Sequence, residues 1–294
     1  MSHFHGTGKR SAYFEGWYFK QTGEDGTAAF IPSFHIDEAG NRWASMQIIT
    51  QEASFGLEFS NQDFHAAQSR FLVEIGMCRF SKSGCRLDAK AGEHSVTGIL
   101  NFEERKKPRY DIMGPFALVP FMECRHKVIS LHHKVSGQLS IDGKRYRFQQ
   151  GLGYIEGDRG SSFPSEYLWT QCYWETGSIM LSIAKIPFAG RSFTGCVGFI
   201  YLNGKEYRLA TYLGVKLIKV TKEEIQISQG GLQLAVRLIE EAAHPLKAPQ
   251  RGSMGRIIHE SPSCAVFYEV RKDGQVILEH YSQNAGFEWA NDFC

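Results

Sequence analysis

The chain has 294 residues, of which 43% are hydrophobic, 22% charged and 13% aromatic, and this composition excludes disordered, collagen-like and low-complexity proteins. Its 33 basic and 31 acidic residues leave a net charge of +2, so there is no electrostatic reason to expect a nucleic-acid partner. At about 150 residues per domain, the length predicts two domains.

The N-terminal residues carry no apolar core of the kind that signal peptides need, and no segment approaches the ~20 apolar residues of a spanning helix. The 7 cysteines are odd in number and never form a CxxC pair. This usage predicts free thiols in a reducing compartment. Together these features predict a soluble, cytoplasmic protein.

The segment Tyr13–Lys20 is rich in aromatic residues and predicts a strand. Strand alternation places Glu15, Trp17 and Phe19 on one face, so a carboxylate lies among large rings. Such an acid either has its pKa raised by desolvation or is paired with a cation, for example Arg10.

Two further features suggest binding sites but have simpler interpretations. The basic run Arg105–Arg109 follows Glu103 and Glu104, which favours a solvated loop over a phosphate-binding patch. The histidine pairs at 3 and 5 and at 132 and 133 lack an evident third metal ligand, and adjacent strand residues point to opposite faces. We therefore predict a solvated N-terminus, a strand surface at 132–133, no metal site and no cofactor.

Apolar residues recur with a period of two along most of the chain, which predicts strands. The alternating residues 131–141 are followed by Asp142–Gly143 and a second alternating run, as in a β-hairpin with a two-residue turn. Asp273–Gly274 marks another such turn. Long helical patterns are nearly absent, and Glu240–Pro249 predicts a loop or a single helical turn.

The predicted fold class is therefore all-β, with two antiparallel barrels or strongly curved sandwiches. Glycines cluster between residues 150 and 165, and we place the domain boundary there, giving domains of residues 1–155 and 156–294. The glycines Gly151, Gly153 and Gly157 miss the spacing of a dinucleotide-binding fingerprint and lack its βαβ context.

The segment 153–174 concentrates charged, flexible and aromatic residues. Tyr154, Glu156 and Asp158 alternate, so two carboxylates and a ring share one face before a glycine-rich turn. In the next strand Trp169, Gln171 and Tyr173 share a face. The segment is either a functional site or a surface loop in which Asp158 and Arg159 form local hydrogen bonds.

These two segments, in this order, resemble motifs of the tocopherol cyclase family. The glycine–threonine stretch at 6–8 and Phe14–Lys20 resemble its Phe-Glu-Gly-Trp-Tyr-Phe-basic motif. A second family motif, Tyr-x-Glu-x-x-x-Gly-x-x-Phe-Pro followed by Trp-x-Gln-Cys, is matched by Tyr154, Glu156, Gly160, Phe163, Pro164, Trp169, Gln171 and Cys172. Where plant members have Trp-Gly-Gly-Gly-Phe-Pro, this chain begins with Arg159, so a cation stands in place of a large apolar ring.

The resemblance implies two lipocalin-like β domains with an apolar cavity. It also implies an enzyme that protonates the alkene of a prenylated hydroquinone, after which the phenol oxygen closes a chromanol ring. On this basis the candidate catalytic residues are Glu156, Asp158 and Glu15. Arg159 beside Asp158 favours the ionised form of that acid, which leaves Glu156 or Glu15 as the proton donor.

The candidate substrate-binding residues are Trp17, Tyr154, Arg159, Trp169, Gln171 and Tyr173. The expected partner is a hydrophobic small molecule, which is compatible with transient contact with a membrane surface. Two alternatives stay open. One is a non-catalytic carrier whose acids all lie at the rim or in salt bridges, and the other is a hydratase of an isoprenoid double bond.

Overall fold

The computed structural model describes residues 3–119, 122–188 and 190–290. The chain is built from antiparallel strands and short 3-10 turns, and these described residues contain no α-helix. The predicted all-β class is confirmed. None of the helical segments within the described ranges has the length and apolar character needed to cross a membrane.

An 11-stranded antiparallel sheet curls into a nearly closed barrel. Its strands are β1 (Tyr13–Gly23), β2 (Gly26–Ile36), β3 (Arg42–Thr50), β4 (Ser54–Ser60), β5 (Phe64–Ala66), β6 (Leu72–Ile75), β7 (Cys78–Ser81), β8 (Gly84–Ala91), β9 (His94–Lys106), β10 (Cys124–Ile141) and β11 (Lys144–Gly160). Their spatial order is β4-β3-β2-β1-β11-β10-β9-β8-β7-β6-β5. The first and last strands of that order are joined by the 3-10 turn Asn61–Asp63, so one short connection links the two edges.

A second antiparallel sheet has 10 strands. They are β12 (Tyr167–Trp174), β13 (Gly177–Phe188), β14 (Arg191–Leu202), β15 (Lys205–Ala210), β16 (Lys216–Val220), β17 (Glu224–Gln229), β18 (Leu232–Glu240), β19 (His244–Gln250), β20 (Ser253–Lys272) and β21 (Gln275–Ala290). The order is β15-β14-β13-β12-β21-β20-β18-β17-β16, and β19 pairs with β20. The remaining 3-10 turns are Gly6–Gly8, Gly114–Leu118 and Thr211–Leu213.

The chain divides into two compact units that interleave in sequence. Of the described residues, the first unit takes those up to Pro108, Glu123–Phe163 and Leu246–Ile257, and the second takes the rest. The boundary expected between residues 155 and 156 lies inside β11, which belongs whole to the first unit because it pairs along its length with β1 and β10.

The predicted hairpin turns are present. Asp142 and Gly143 both have positive φ, 49° and 80°, which is the backbone of the turn that matches strand twist. Asp273 and Gly274 join β20 to β21 in the same way, with φ of 51° and 83°. The prediction for 240–249 was wrong, because β18 runs to Glu240 and β19 covers His244–Gln250.

The interior of the first sheet is packed with apolar side chains. Trp17, Phe19 and Ile155 are each at most 4% exposed and belong to one cluster with residues from β2, β3 and β6–β10. Burying a side chain of this size stabilises the fold by about 1.5–3 kcal/mol. A separate apolar cluster that includes Leu168 and Cys172 fills the interior of the second sheet.

The six cysteines within the described residues are free, which fits the predicted thiols. Five of them are buried, and Cys124 is half-buried. The seventh, Cys294, lies outside the described residues.

Candidate functional site

The two segments singled out in the sequence are neighbouring strands. β1 pairs with β11 so that Glu15 lies opposite Arg159, and Tyr18 lies opposite Glu156. Residues directly opposite each other project to the same side of a sheet, and successive residues alternate. Glu15 and Glu156 therefore project from opposite faces, which we call the inner face, shared with Trp17, and the outer face, shared with Tyr18.

Glu15 is a buried, fully bonded acid on the inner face. It is 3% exposed, and its Oε2 accepts hydrogen bonds from the Tyr13 hydroxyl at 2.7 Å and the His5 backbone N–H at 2.8 Å. The His5 Nδ1 lies 2.9 Å from the other oxygen. Burial, and then the charge of Glu15, raise the pKa of Tyr13 above its usual range. The side chains that bond to Glu15 are therefore those of His5 and Tyr13, rather than an arginine such as Arg10.

A cavity of about 230 Å³ opens beside Glu15 within the first unit. Four of the predicted site residues line it, namely Glu15, Trp17, Asp158 and Arg159. The family resemblance implied an apolar hollow, and this cavity has both apolar and charged side chains in its wall. Five basic residues line it, namely Lys82, Arg105, Lys107, Lys127 and Arg159.

Two of the simpler sequence interpretations hold only in part at this cavity. Arg105, predicted to lie in a solvated loop, belongs to β9 and lines the wall, whereas Lys107 lies exposed beyond that strand, as predicted, and also lines the cavity. His3 and His5, predicted to be solvated, line it as well. Chain neighbours give no indication of this, because the cavity forms where the ends of β9 and β11 meet the starts of β1 and β10.

His132 and His133 also differ from the prediction. They were expected on a strand surface, but they are 4% and 0% exposed. Burial lowers the pKa of His132 to about 4 and that of His133 to about 3, so both are neutral at physiological pH. The nitrogen Nδ1 of His133 lies 3.0 Å from the Ser130 hydroxyl.

The outer face carries a second buried acid. Glu156 is 6% exposed, and the hydroxyl of Tyr154, which is fully buried, donates to its Oε2 at 2.5 Å. Burial, and then the charge of Glu156, raise the pKa of Tyr154 well above its usual value. The tyrosine therefore stays a hydrogen-bond donor to this carboxylate.

His126 lies between Glu156 and Asp158 and was missed by the sequence reasoning. Its Nδ1 is 3.0 Å from Asp158 Oδ1, and its Nε2 is 3.3 Å from Glu156 Oε2. Burial by itself lowers the pKa of His126, but the two carboxylates outweigh burial and hold that pKa well above 6.5. His126 is thus an imidazolium at neutral pH, placed between two carboxylates.

A register shift explains why the sequence did not indicate His126. An unbroken ladder from the Asp142–Gly143 turn would place Lys127 opposite Asp158. Three irregularities in β10 shift the pairing, so that His126 is the residue opposite Asp158. A one-residue shift of this kind reverses the face to which every side chain points.

The same three side chains could also hold a metal ion. His126, Glu156 and Asp158 offer one ligand atom each, and these atoms lie within 4.8 Å of one another. A nitrogen and two carboxylate oxygens suit a divalent cation such as Zn²⁺. The cluster can therefore bind either a proton or a cation, and the two would compete for the same atoms.

Three predicted binding residues belong to the second unit and do not line the cavity. Trp169, Gln171 and Tyr173 are each at most 8% exposed and lie on the face of β12 opposite Leu168 and Cys172 of the core.

That face of β12 also carries a carboxylate. Glu288 of β21 lies opposite Trp169 and accepts a hydrogen bond from the Tyr167 hydroxyl. The second unit thus has its own buried pairing of an acid with aromatic residues, and no sequence signal had indicated Glu288.

Comparison with known proteins agrees with the motif resemblance. The chain is 26% identical over 80 residues to a chloroplastic tocopherol cyclase of Zea mays, covering 27% of this chain and 17% of the relative. It is 23% identical over 129 residues to a probable chloroplastic tocopherol cyclase of Oryza sativa subsp. japonica, covering 42% of this chain and 27% of the relative. The matches thus span less than a third of either relative.

A crystal structure labelled AttH, from Nitrosomonas europaea, has the same fold. It superposes with a TM-score of 0.53 at 14% identity, covering 94% of this chain and 92% of that one. The model of the family described as tocopherol cyclase-like matches residues 83–289, which is more than half of the chain. The chain therefore belongs to the tocopherol cyclase-like family.

Proposed function

We propose that this protein is a tocopherol cyclase-like enzyme in which Glu156, with His126 and Asp158, supplies the proton that starts ring closure on a prenylated hydroquinone. The observation that carries the proposal is the buried imidazolium between two carboxylates on the outer face. Family membership supports the class of reaction, and the cluster offers the acid that such a reaction needs.

The geometry around Glu156 suits a proton donor. The Tyr154 hydroxyl donates to Oε2, and the His126 Nε2 lies 3.3 Å from the same oxygen, so a proton held by His126 can pass to Glu156. The Tyr154 hydroxyl then stabilises the carboxylate that remains after the proton has gone. Donors placed on the developing charge in this way lower the barrier to transfer.

Each step then balances in atoms and charge. The N–H bond of the His126 imidazolium breaks as its proton passes to Glu156, and the O–H bond so formed breaks as a C–H bond forms at the less substituted alkene carbon, leaving a tertiary cation on the prenyl chain. The phenol oxygen attacks that cation and closes the ring. The phenol proton passes through Glu156 back to His126, so the imidazolium is regenerated and no oxidant or reductant is consumed.

Asp158 acts through His126 rather than on the substrate. Its charge keeps the imidazole protonated, and its side chain also accepts a hydrogen bond from the Cys124 thiol at 3.6 Å. The aromatic rings of Tyr18 and Tyr154 share the outer face with Glu156. Their faces can stabilise a nearby cation by about 0.5–2 kcal/mol each.

The experiment is turnover of a panel of prenylated hydroquinones in D₂O, followed by mass spectrometry. Ring closure by this route adds one solvent deuterium to carbon without changing the rest of the formula. Glu156→Gln should slow the reaction by about 10²–10⁴-fold, the usual contribution of a general acid. The control is Glu93→Gln, which removes an exposed glutamate from the same unit and should leave the rate unchanged.

A product heavier by one water would support the hydratase instead, because water would have captured the cation. Recovery of unchanged ligand from the wild type would support the carrier. One observation favours the carrier. Glu15 is hydrogen-bonded to His5 and Tyr13, and Asp158 lies beside His126, so both acids are already paired. Full activity of Glu156→Gln would rule out the donor assignment.

A further inference from the structure

The cavity of the first unit has a strong excess of positive charge. Five basic residues line it, but its acidic lining residues are only Glu15 and Asp158. Both acids have other partners, namely His5 with Tyr13 for the first and His126 for the second. Within the described residues, the basic side chains at 82, 105, 107, 127 and 159 have no carboxylate partner within 4.0 Å.

The cations influence one another across the cavity. Burial, and then the charges of Arg105, Lys127 and Lys107, lower the pKa of Lys82. Arg105 is held in place by a hydrogen bond from its Nη1 to the Ile129 carbonyl at 2.7 Å. Like charges fixed this close repel each other, and a bound anion would relieve the repulsion.

Besides these charged residues and His3 and His5, the lining is mostly apolar. Trp17, Phe71, Val128 and Ile129 form part of the wall, and the Lys82 ammonium lies 6.0 Å from the Phe71 ring centroid. A volume of about 230 Å³ is smaller than the ~300–1,000 Å³ typical of drug-sized ligand sites. The cavity can therefore hold an anionic group and a short apolar chain, but not a whole prenylated hydroquinone.

We propose that this cavity binds a phosphate monoester that carries a short apolar group. The phosphate would lie among Lys82, Arg105, Lys127 and Arg159, and the apolar group would lie against Trp17 and Phe71. Charge-assisted hydrogen bonds from lysine and arginine suit phosphate oxygens. The inference does not depend on the acid chemistry of Glu156, which projects from the other face of the sheet.

The test is calorimetric titration of the full chain with hexyl phosphate at low salt. The wild type should bind, and Lys82→Gln with Lys127→Gln should raise Kd by at least about tenfold. The matched control is Lys90→Gln, which removes one exposed lysine of the same unit outside the cavity and should leave Kd unchanged. If the double variant does not fold, Lys107→Gln at an exposed position should still raise Kd, by a smaller factor.

Two further binding measurements distinguish the possible sources of the phosphate group. Inorganic phosphate should bind more weakly than hexyl phosphate because it lacks the apolar group, and equal binding would contradict the role of Trp17 and Phe71. Co-sedimentation with vesicles containing phosphatidic acid, without binding of hexyl phosphate, would overturn the proposal in favour of a membrane surface. The same loss of affinity in the Lys90→Gln control would also overturn the proposal.

Discussion

The inner and outer faces of the β1–β11 pair carry the same local motif. On each, a tyrosine two residues before a glutamate donates its hydroxyl to Oε2, at 2.7 Å for Tyr13–Glu15 and 2.5 Å for Tyr154–Glu156. Each glutamate also meets a histidine, His5 on the inner face and His126 on the outer face.

The two faces differ in the other side chains that each histidine contacts. The His5 side chain is 32% exposed and serves Glu15 alone, so this pair resembles an ordinary structural ion pair. The His126 side chain is 12% exposed and is shared with Asp158. A buried glutamate with a tyrosine partner therefore does not by itself indicate an acid catalyst. A second carboxylate that holds the histidine charged is what distinguishes the outer face.

The largest expected effect comes from removing the shared histidine. His126→Gln leaves the buried carboxylate of Glu156 and the half-buried one of Asp158 without their cation, and breaking a buried pair in this way costs about 3–5 kcal/mol. His5→Gln, at the more exposed site, should cost about 1 kcal/mol or less. Urea unfolding of both variants measures the difference. Equal losses would mean that the two faces are energetically alike.

The two tyrosines separate stability from chemistry. Tyr13→Phe and Tyr154→Phe each remove one hydrogen bond to a buried carboxylate, so each should lower the free energy of unfolding by about 1.5–3 kcal/mol. Only Tyr154→Phe should also slow turnover of the prenylated hydroquinone. We expect a loss of about 10²-fold in rate, because this variant lacks a hydrogen-bond donor to the reacting acid. A matching rate loss in Tyr13→Phe would contradict the assignment of chemistry to the outer face.

The smallest expected effect is the pH dependence that His126 adds to stability. Its folded pKa is raised above 6.5, so its stabilisation is fully present below about pH 6.5 and is lost as pH rises through the folded pKa. In that window the free energy of unfolding should fall by up to about 1.4 kcal/mol per pH unit. His126→Gln should lack this part of the slope. An unchanged slope in the variant would show that His126 is not the group that titrates.

Much of the fold could be predicted from local patterns. Alternation identified β1 and β12, and the dipeptides Asp142–Gly143 and Asp273–Gly274 located two hairpin turns, because positive φ at both positions favours those residues. Where the pattern is weak, as at 244–250 with its two prolines, β19 forms through pairing with β20 rather than through its own propensity.

The candidate site was predictable only in part. Glu15, Glu156 and Asp158 were identified because strand alternation places each beside rings or another acid, and the first two are buried. His126 was not, because irregularities in β10 change its register with β11, and such shifts depend on how the strand fits its two neighbours.

The sequence by itself determined most of the strands, two hairpin turns, and which side chains share a face of one strand, since these depend on neighbours along the chain. The tertiary structure decided which charged side chains lie next to each face of the sheet. It placed Glu15 and Glu156 on opposite sides of one sheet, and it gathered cations as distant as Lys82 and Arg159 around one cavity. These relations depend on strand order and register between segments far apart in the chain, and no local pattern encodes them.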